Sequence, residues 1–367
     1  MTLEQRIAAR IRAGGPITVA AFMATALQDP DGGYYRGTDP LGRGGDFTTA
    51  PEISQMFGEM IGLWCADGWR ADGAPDPFDL VELGPGRGTL MADALRAAAA
   101  LPAFGQAMRL HLVESSPALR QRQAALLAGA RPTWHDRADP LPAGPRWVVA
   151  NEFLDALPVH QLVRTASGWR ERGVGLDGDG NLTFVDDLPV PDALMPAQDQ
   201  PVGTVVERRP EAEALVADLA RAILTHGGRA IFIDYGYAAG HGDTLQAVRE
   251  HGRVSVLDAP GQVDLSAHVA FADLAAAVVA TGGQAWGPVP QGRFLQSLGI
   301  LARAERLAAR RPDARATIAA ALHRLIGAGA MGTLFKVFAI TRPGGPPPAG
   351  FTAADAAPPD AHRGAAA

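Results

Sequence analysis

The chain has 367 residues, 47% of them hydrophobic and 20% charged, with a net charge of −6. That composition excludes a disordered chain and leaves room for one large α/β domain with insertions, or for two domains of roughly 150 residues each. The negative balance offers no global attraction to phosphate backbones, and a single cysteine, Cys65, excludes a disulfide scaffold or an intrachain thiolate zinc centre.

At the N-terminus, Leu3, Ile7 and Ile11 recur at helical spacing, and Thr18 stands ready to cap an apolar run to Leu27. Glu4, Arg6, Arg10 and Arg12 interrupt what would be the apolar core of a signal peptide. With no run of about 18 apolar residues anywhere, a soluble protein without membrane insertion is expected. The expected location is cytoplasmic, or the mitochondrial matrix for a eukaryotic source. Between Gly32 and Pro51 lies a loop rich in glycine and polar residues, too long for a simple connector. A helix is predicted from Glu52 to Trp69, with Cys65 on it as a small hydrophobe.

From Asp79 the pattern becomes short apolar runs alternating with helical segments. Asp79–Leu83, Arg109–Val113, Trp147–Ala150 and Ala230–Ile233 read as buried strands, with helices over Thr89–Ala100, Pro117–Leu127 and Glu211–His226. This alternation specifies an α/β fold with a doubly wound, Rossmann-like parallel sheet. Turn signals at Ala166-Ser-Gly and Asp177-Gly-Asp-Gly predict a β-hairpin or small meander after the fourth strand. Further helices are predicted over Phe271–Thr281, Gly292–Arg310 and Ala314–Ile326. A late strand is predicted over Thr333–Ile340, with bulk from Leu334, Val337 and Phe338. The predicted organisation is an N-terminal helical cap with the long glycine-rich loop over 1–75 and the α/β domain over 76–341. The latter carries insertions near 159–205 and 241–330. A Pro- and Gly-rich tail over 342–367 is expected to be disordered.

Glu82-Leu-Gly84-Pro-Gly86-Arg-Gly88-Thr89 sits where the first strand gives way to a helix. A dinucleotide fingerprint would place its third glycine at position 89, which is Thr89 here. The Gly-x-Gly-x-Gly form, with an acidic residue two positions ahead, resembles motif I of class I S-adenosylmethionine (SAM) methyltransferases. Glu82, Gly84, Gly86 and Gly88 are therefore candidate cofactor-binding residues. Glu114 ends the next strand, where a carboxylate can accept both hydrogen bonds of a ribose diol. A plain helix-capping role for Glu114 is the alternative.

Five ordered blocks carry a more specific resemblance: Gly45-Asp-Phe-Thr-Thr-Ala-Pro-Glu-Ile-Ser54, Glu82 to Thr89, Asn151-Glu-Phe-Leu-Asp-Ala-Leu-Pro158, Ile233-Asp-Tyr-Gly236 and Gly332-Thr-Leu-Phe-Lys-Val337. Together, from about Ile17 to Ile340, the chain resembles the MidA family of class I methyltransferases, which includes the mitochondrial complex I assembly factor. The resemblance implies a SAM-dependent protein-arginine methyltransferase that symmetrically dimethylates an arginine on a peripheral-arm subunit of respiratory complex I. It also implies that the loop holding Asp46, Phe47, Thr48 and Thr49 folds over SAM. The residue-level alternative is that Thr48 or Thr49 caps the next helix.

An arginine acceptor is a poor nucleophile while its guanidinium is charged, so carboxylates must orient it and take up charge or a proton. Asn151, Glu152 and Asp155 come after the fourth strand at the same edge as the glycine loop. Glu152 is the expected principal carboxylate, Asp155 the second, and Asn151 a backbone or ligand contact. An acidic helix start is the structural alternative. Asp234 and Tyr235 end the fifth strand at this edge as candidate lining of the acceptor channel, and Asp264, Ser266 and His268 form a further block. No metal is expected. A small-molecule N- or O-methyltransferase and a non-catalytic assembly chaperone remain as alternative functions.

Overall fold

A computed structural model describes residues 1–36, 49–196, 200–240, 242–249 and 252–358. Its centre is a mostly parallel sheet built from β1 (Phe78–Leu83), β2 (Met108–Val113), β3 (Thr133–His135), β4 (Arg146–Asn151), β5 (Gly228–Tyr237), β6 (Gln284–Pro290) and β7 (Phe335–Thr341). Their spatial order is β6-β7-β5-β4-β1-β2-β3, with β7 antiparallel to both neighbours and Val269–Ala270 added beside the end of β5. The chain winds outward from β1 to β3 and then returns to β4 on the other side of β1. This reversal opens a crevice at the carboxyl ends of β1 and β4, the point at which such sheets bind ligands.

Alternation along each strand explains why helices cover both faces. Phe78, Leu80, Leu110, Leu112, Trp147 and Val149 face one core with α4 (Gln55–Ala71) and α5 (Thr89–Ala98). Val81, Leu83, Val113, Val148 and Ala150 face the other, with α7 (Pro210–His226) and α8 (Phe271–Ala280). Crossing of α4 over α5 is close because Gly62 lacks a side chain; a Cβ there would lie 2.4 Å from the Ala94 carbonyl oxygen. Cys65 is buried on α4, where burial pushes its thiol up to about 12, as suits a packed hydrophobe.

The N-terminal helices α1 (Leu3–Gly14) and α2 (Val19–Gln28) are capped by Thr2 and Thr18, and they form a third core with Val159, Val174, Val263 and Leu265. The insertion after β4 is an antiparallel meander of His160–Thr165, Gly168–Leu176 and Leu182–Leu188, to which Val205–Arg208 returns. Ile17–Thr18 pairs with its middle strand and ties the cap to the insertion.

Four expectations need correction. The helix predicted over 52–69 is broken at Ser54, whose extended backbone (φ −163°, ψ 138°) separates α3 (Ala50–Ile53) from α4. Gly299, at φ 89°, divides the predicted 292–310 helix into α9 (Gln291–Ser297) and α10 (Ile300–Arg310). Leu334 lies on the turn before β7 and is 47% exposed, so it supplies no core bulk. The tail differs too, because residues 342–358 pack against the domain: Phe351 is buried against Phe294, Trp64 donates its indole N–H to the Ala349 carbonyl, and Ala357 N–H bonds the Ala285 carbonyl. Aromatic anchors offset the proline- and glycine-rich composition there. No helix among the described residues is long and apolar enough to cross a membrane.

Glu59 binds the helical insertion to this body. Buried on α4, its carboxylate accepts a bidentate pair from Arg303 on α10 at 2.7 and 2.9 Å, and further bonds from Arg96 and Gln55. Arg303→Met should leave that buried carboxylate underpaired and lower stability by about 2–3 kcal/mol. A denaturant midpoint checks this, and the double variant with Glu59→Gln should recover part of the loss.

Candidate active site at the carboxyl edge of the sheet

Strand register brings the sequence-selected residues together. Leu83 pairs with Val113 and with Ala150, and Asn151 pairs with Ile233, so the ends of β1, β2, β4 and β5 lie level. The segments leaving these strands therefore share one edge: the glycine loop, Glu114, the Asn151–Asp155 turn and Asp234–Tyr235.

The loop after β1 adopts left-handed backbone at Gly84 (φ 61°), Gly86 (φ 53°) and Gly88 (φ 84°). A Cβ on Gly84 would meet the Phe153 ring at 2.8 Å, so this glycine also lets the turn after β4 approach. Gly84 N–H bonds the Val113 carbonyl, Gln123 donates to the Gly86 carbonyl at 2.6 Å, and Thr89 donates to Glu52 at 2.6 Å. Glu82 lies buried behind the loop, where burial pushes its carboxyl up to about 8 and Oε2 has no partner among the described residues.

Glu114 is buried at the tip of β2. It accepts from Ser116 N–H at 2.7 Å and from Gln123 Nε2 at 3.3 Å, while burial raises its carboxyl above the ordinary range. Ser116, through its own hydroxyl, caps α6 (Pro117–Leu126), so the capping role considered for Glu114 belongs to its neighbour. Asp46, Phe47 and Thr48 lie outside the described residues. Thr49 stands at the N-cap of α3 without a side-chain cap bond.

The turn after β4 is no ordinary helix start. Glu152 takes a left-handed conformation (φ 51°), strained for a residue with a side chain, and is held there by its N–H to the Ile233 carbonyl at 2.9 Å. Its Oε1 accepts from Asn151 Nδ2 and from Ala50 N–H, each at 3.0 Å. Burial pushes the Glu152 carboxyl up to about 7. Asn151 Oδ1 has no partner among the described residues.

Asp234 has a different position from the one expected of a channel-lining residue. Its Oδ2 accepts from the consecutive N–H groups of Phe153, Leu154 and Asp155 at 3.2, 2.9 and 3.2 Å, and Oδ1 accepts from Tyr235 N–H. It is therefore the clamp that shapes the Glu152 turn. Sequence reasoning assigned Arg209 no role. Buried at the start of α7, its guanidinium donates to the carbonyls of Asp155, Leu157, Ala267 and His268. Those partners lie 52 to 59 residues away in the chain, and no local pattern marks them. His268 is half-buried, and burial lowers its imidazole below the usual value.

Three left-handed glycines, with a buried Glu82 oxygen and an Asn151 oxygen that have no partner among the described residues, suit a ligand that approaches backbone closely and brings its own donors. The amino group and ribose of SAM are such donors, and the residues present fit it. Residues 60–289 match a family model described as a putative S-adenosyl-L-methionine-dependent methyltransferase. The chain is 38% identical to the zebrafish (Danio rerio) protein arginine methyltransferase NDUFAF7, mitochondrial, over 92% of this chain and 86% of that one. It is 36% identical to the human protein of the same name, over 90% and 81% of the two chains. The chain belongs to the MidA family of SAM-dependent methyltransferases. A crystal structure from Burkholderia thailandensis bound to S-adenosyl-homocysteine superposes with a TM-score of 0.81 at 32% identity, covering 93% of this chain and 92% of that one. This methyltransferase accordingly uses SAM as its cofactor.

Gly86→Val places a branched side chain at a left-handed position in the cradle and should abolish S-adenosylhomocysteine binding by calorimetry; binding within tenfold of wild type would remove Gly86 from the cradle. A second expectation concerns Glu152, whose folded value of about 7 exceeds its ordinary 4.5. The folded state thus holds this proton more tightly, and the associated stability is fully present below pH 4.5 and lost as pH rises through about 7. Glu152→Gln should therefore stabilise the cofactor-free protein at pH 8 by up to about 3 kcal/mol, seen as a higher Tm, and change it little at pH 4.5.

Proposed function

We propose that the chain is a protein-arginine N-methyltransferase whose acceptor is an arginine on a peripheral-arm subunit of respiratory complex I, symmetrically dimethylated during assembly. The names of the curated relatives support the arginine acceptor. Within the chain, the supporting observation is the strained Glu152, fixed beside the glycine loop with a carboxyl poised near neutrality. Those relatives are named as mitochondrial, which supports the matrix location for a eukaryotic source and gives nothing to the cytoplasmic one.

When bound, SAM supplies a methyl carbon on a positively charged sulfur, open to in-line displacement. Holding acceptor and donor in line can itself contribute on the order of 7–11 kcal/mol. Glu152 orients the guanidinium by accepting from one of its N–H groups, which concentrates electron density on the attacking nitrogen. As the nitrogen–carbon bond forms, the carbon–sulfur pair stays with sulfur and Glu152 takes the proton released by nitrogen. Asn151 and the Ala50 N–H hold Oε1 in place for this role. Gly84, Gly86, Gly88, Glu82, Glu114 and the Asp46–Thr49 segment are assigned to the cofactor.

Glu152→Gln keeps the shape and loses the charge, so the methylation rate should fall by roughly 10²–10⁴-fold with little change in SAM affinity. The wild-type rate should rise with pH through about 7, the value at which Glu152 ionises. Single-turnover transfer of labelled methyl to proteins of a lysate lacking this methyltransferase measures both. Label in methylarginine of one protein supports the proposal, label only in small metabolites points to a small-molecule methyltransferase, and no label despite SAM binding points to a chaperone.

A further inference from the structure

The buried stripe of α6 runs through Leu119, Gln123 and Leu127, and its middle member is an amide with no exposed surface. A leucine would fill that position without stranding polar atoms, so a glutamine buried there has to be answered by hydrogen bonds. It is answered on three sides. Trp134 on β3 donates its indole N–H to Gln123 Oε1 at 2.8 Å, and Gln123 Nε2 donates to the Gly86 carbonyl at 2.6 Å and to Glu114 Oε2 at 3.3 Å. An indole N–H only donates, while the carbonyl and the ionised carboxylate only accept, so a single orientation of the amide satisfies all three. A flip would set its oxygen against two acceptors.

Gln123 therefore joins two parts of the cofactor site that are distant in the chain. Its stem lies against the glycine loop, where a Cβ on Gly88 would come within 3.4 Å of Gln123 Cγ. On Glu114, Oε1 accepts from the Ser116 N–H and Oε2 from Gln123. The last torsion of a glutamate is soft, so one anchor would leave the carboxylate plane free to swing, and anchors on both oxygens fix it. An ionised carboxylate has about four acceptor positions, and these bonds use one on each oxygen. What remains is a matched pair of acceptors, the pattern into which a vicinal diol donates. Burial raises the Glu114 carboxyl, and the bonds from Ser116 and Gln123 oppose that shift and favour the charged form.

We infer that Gln123 is a positioning residue that sets ribose selectivity: locked by Trp134, its amide fixes the Glu114 carboxylate and the glycine loop at Gly86 relative to each other, so that the site takes an adenosyl group with both ribose hydroxyls and discriminates against a deoxyribose. This role rests on the assignment of Glu114 to the cofactor's ribose and deepens it. Gln121, on the same helix two residues earlier, is exposed, and only the fold separates the two glutamines.

The test compares S-adenosylhomocysteine with its 2′-deoxy and 3′-deoxy analogues by calorimetry on the full chain. The wild type should bind S-adenosylhomocysteine about tenfold or more tightly than either analogue, the loss of one hydrogen bond to a charged group. Gln123→Met keeps the volume and removes the amide. It should weaken S-adenosylhomocysteine about tenfold, yet weaken the analogue lacking the hydroxyl that meets Oε2 by less than about threefold, because the bond that Gln123 arranges is already absent there. Trp134→Phe removes the lock and leaves Gln123 in place; it should narrow the same discrimination about threefold, and it replaces Gln123→Met as the deciding variant if that protein does not fold. Discrimination that stays at the wild-type level in the deciding variant, even with all three ligands weakened by a common factor, would make Gln123 a structural prop of the loop and overturn its positioning role. If instead the wild type binds the three ligands alike, Glu114 does not hold the diol, and the ribose assignment falls together with the role of Gln123.

Discussion

One carboxylate holds the site in shape. Asp234, at the end of β5, receives three successive main-chain N–H groups from the turn after β4 and one from its own neighbour. Three donors pointing at one oxygen require a tight turn, and that turn throws Glu152 into left-handed backbone, where a residue with a side chain is strained by about 1–3 kcal/mol. The strain persists because both sides are fixed: Ile233 accepts the Glu152 N–H on one side, and Arg209 gathers the carbonyls of Asp155 and Leu157 on the other. Without Asp234 the Glu152 side chain would have no reason to stand beside the glycine loop.

The central sheet was legible in the sequence because its strands are continuous apolar runs ended by glycine or acidic residues, and parallel register then levels their ends. That levelling is why Gly84, Glu114 and Glu152 group together from strand order alone. β3 was missed because Thr133–His135 is a three-residue edge strand with no apolar run, and β6 because Gly287 and Pro288 interrupt its apolar residues. The break at Ser54 was invisible since the apolar periodicity continues on both sides of it. Packing of 342–358 depends on Trp64, Phe294 and Ala285, all distant in sequence, which overrides the composition of the segment.

Roles were less legible than positions. Asp234 and Glu152 look alike in sequence, each an acidic residue at a strand end whose carboxyl burial raises, yet Asp234 spends its oxygens on four backbone N–H groups while Glu152 accepts from one backbone N–H and the Asn151 amide. Which is which depends on the direction of the peptide N–H groups, and that is set by the turn and not by the residue types. Arg209 shows the converse. A buried arginine shortly after Glu207 and just before Pro210 looks like a charged helix start, and only the folded chain shows that it closes four carbonyls from two loops.

The two halves of the proposed site are built by different means. The half proposed for the cofactor is mainly backbone: three left-handed glycines, with buried Glu82 before them and buried Glu114 at the tip of the next strand. Such a surface is rigid and nearly independent of pH in the loop itself. Beside the Glu152 turn, the carboxyls of Glu152, Asp155 and Asp234 are buried close together, and burial raises each above its ordinary range. Their proton affinity therefore responds to the charge that enters. Under the proposed function, a cationic acceptor beside Glu152 would lower its carboxyl value and so favour the ionised form that can accept a proton.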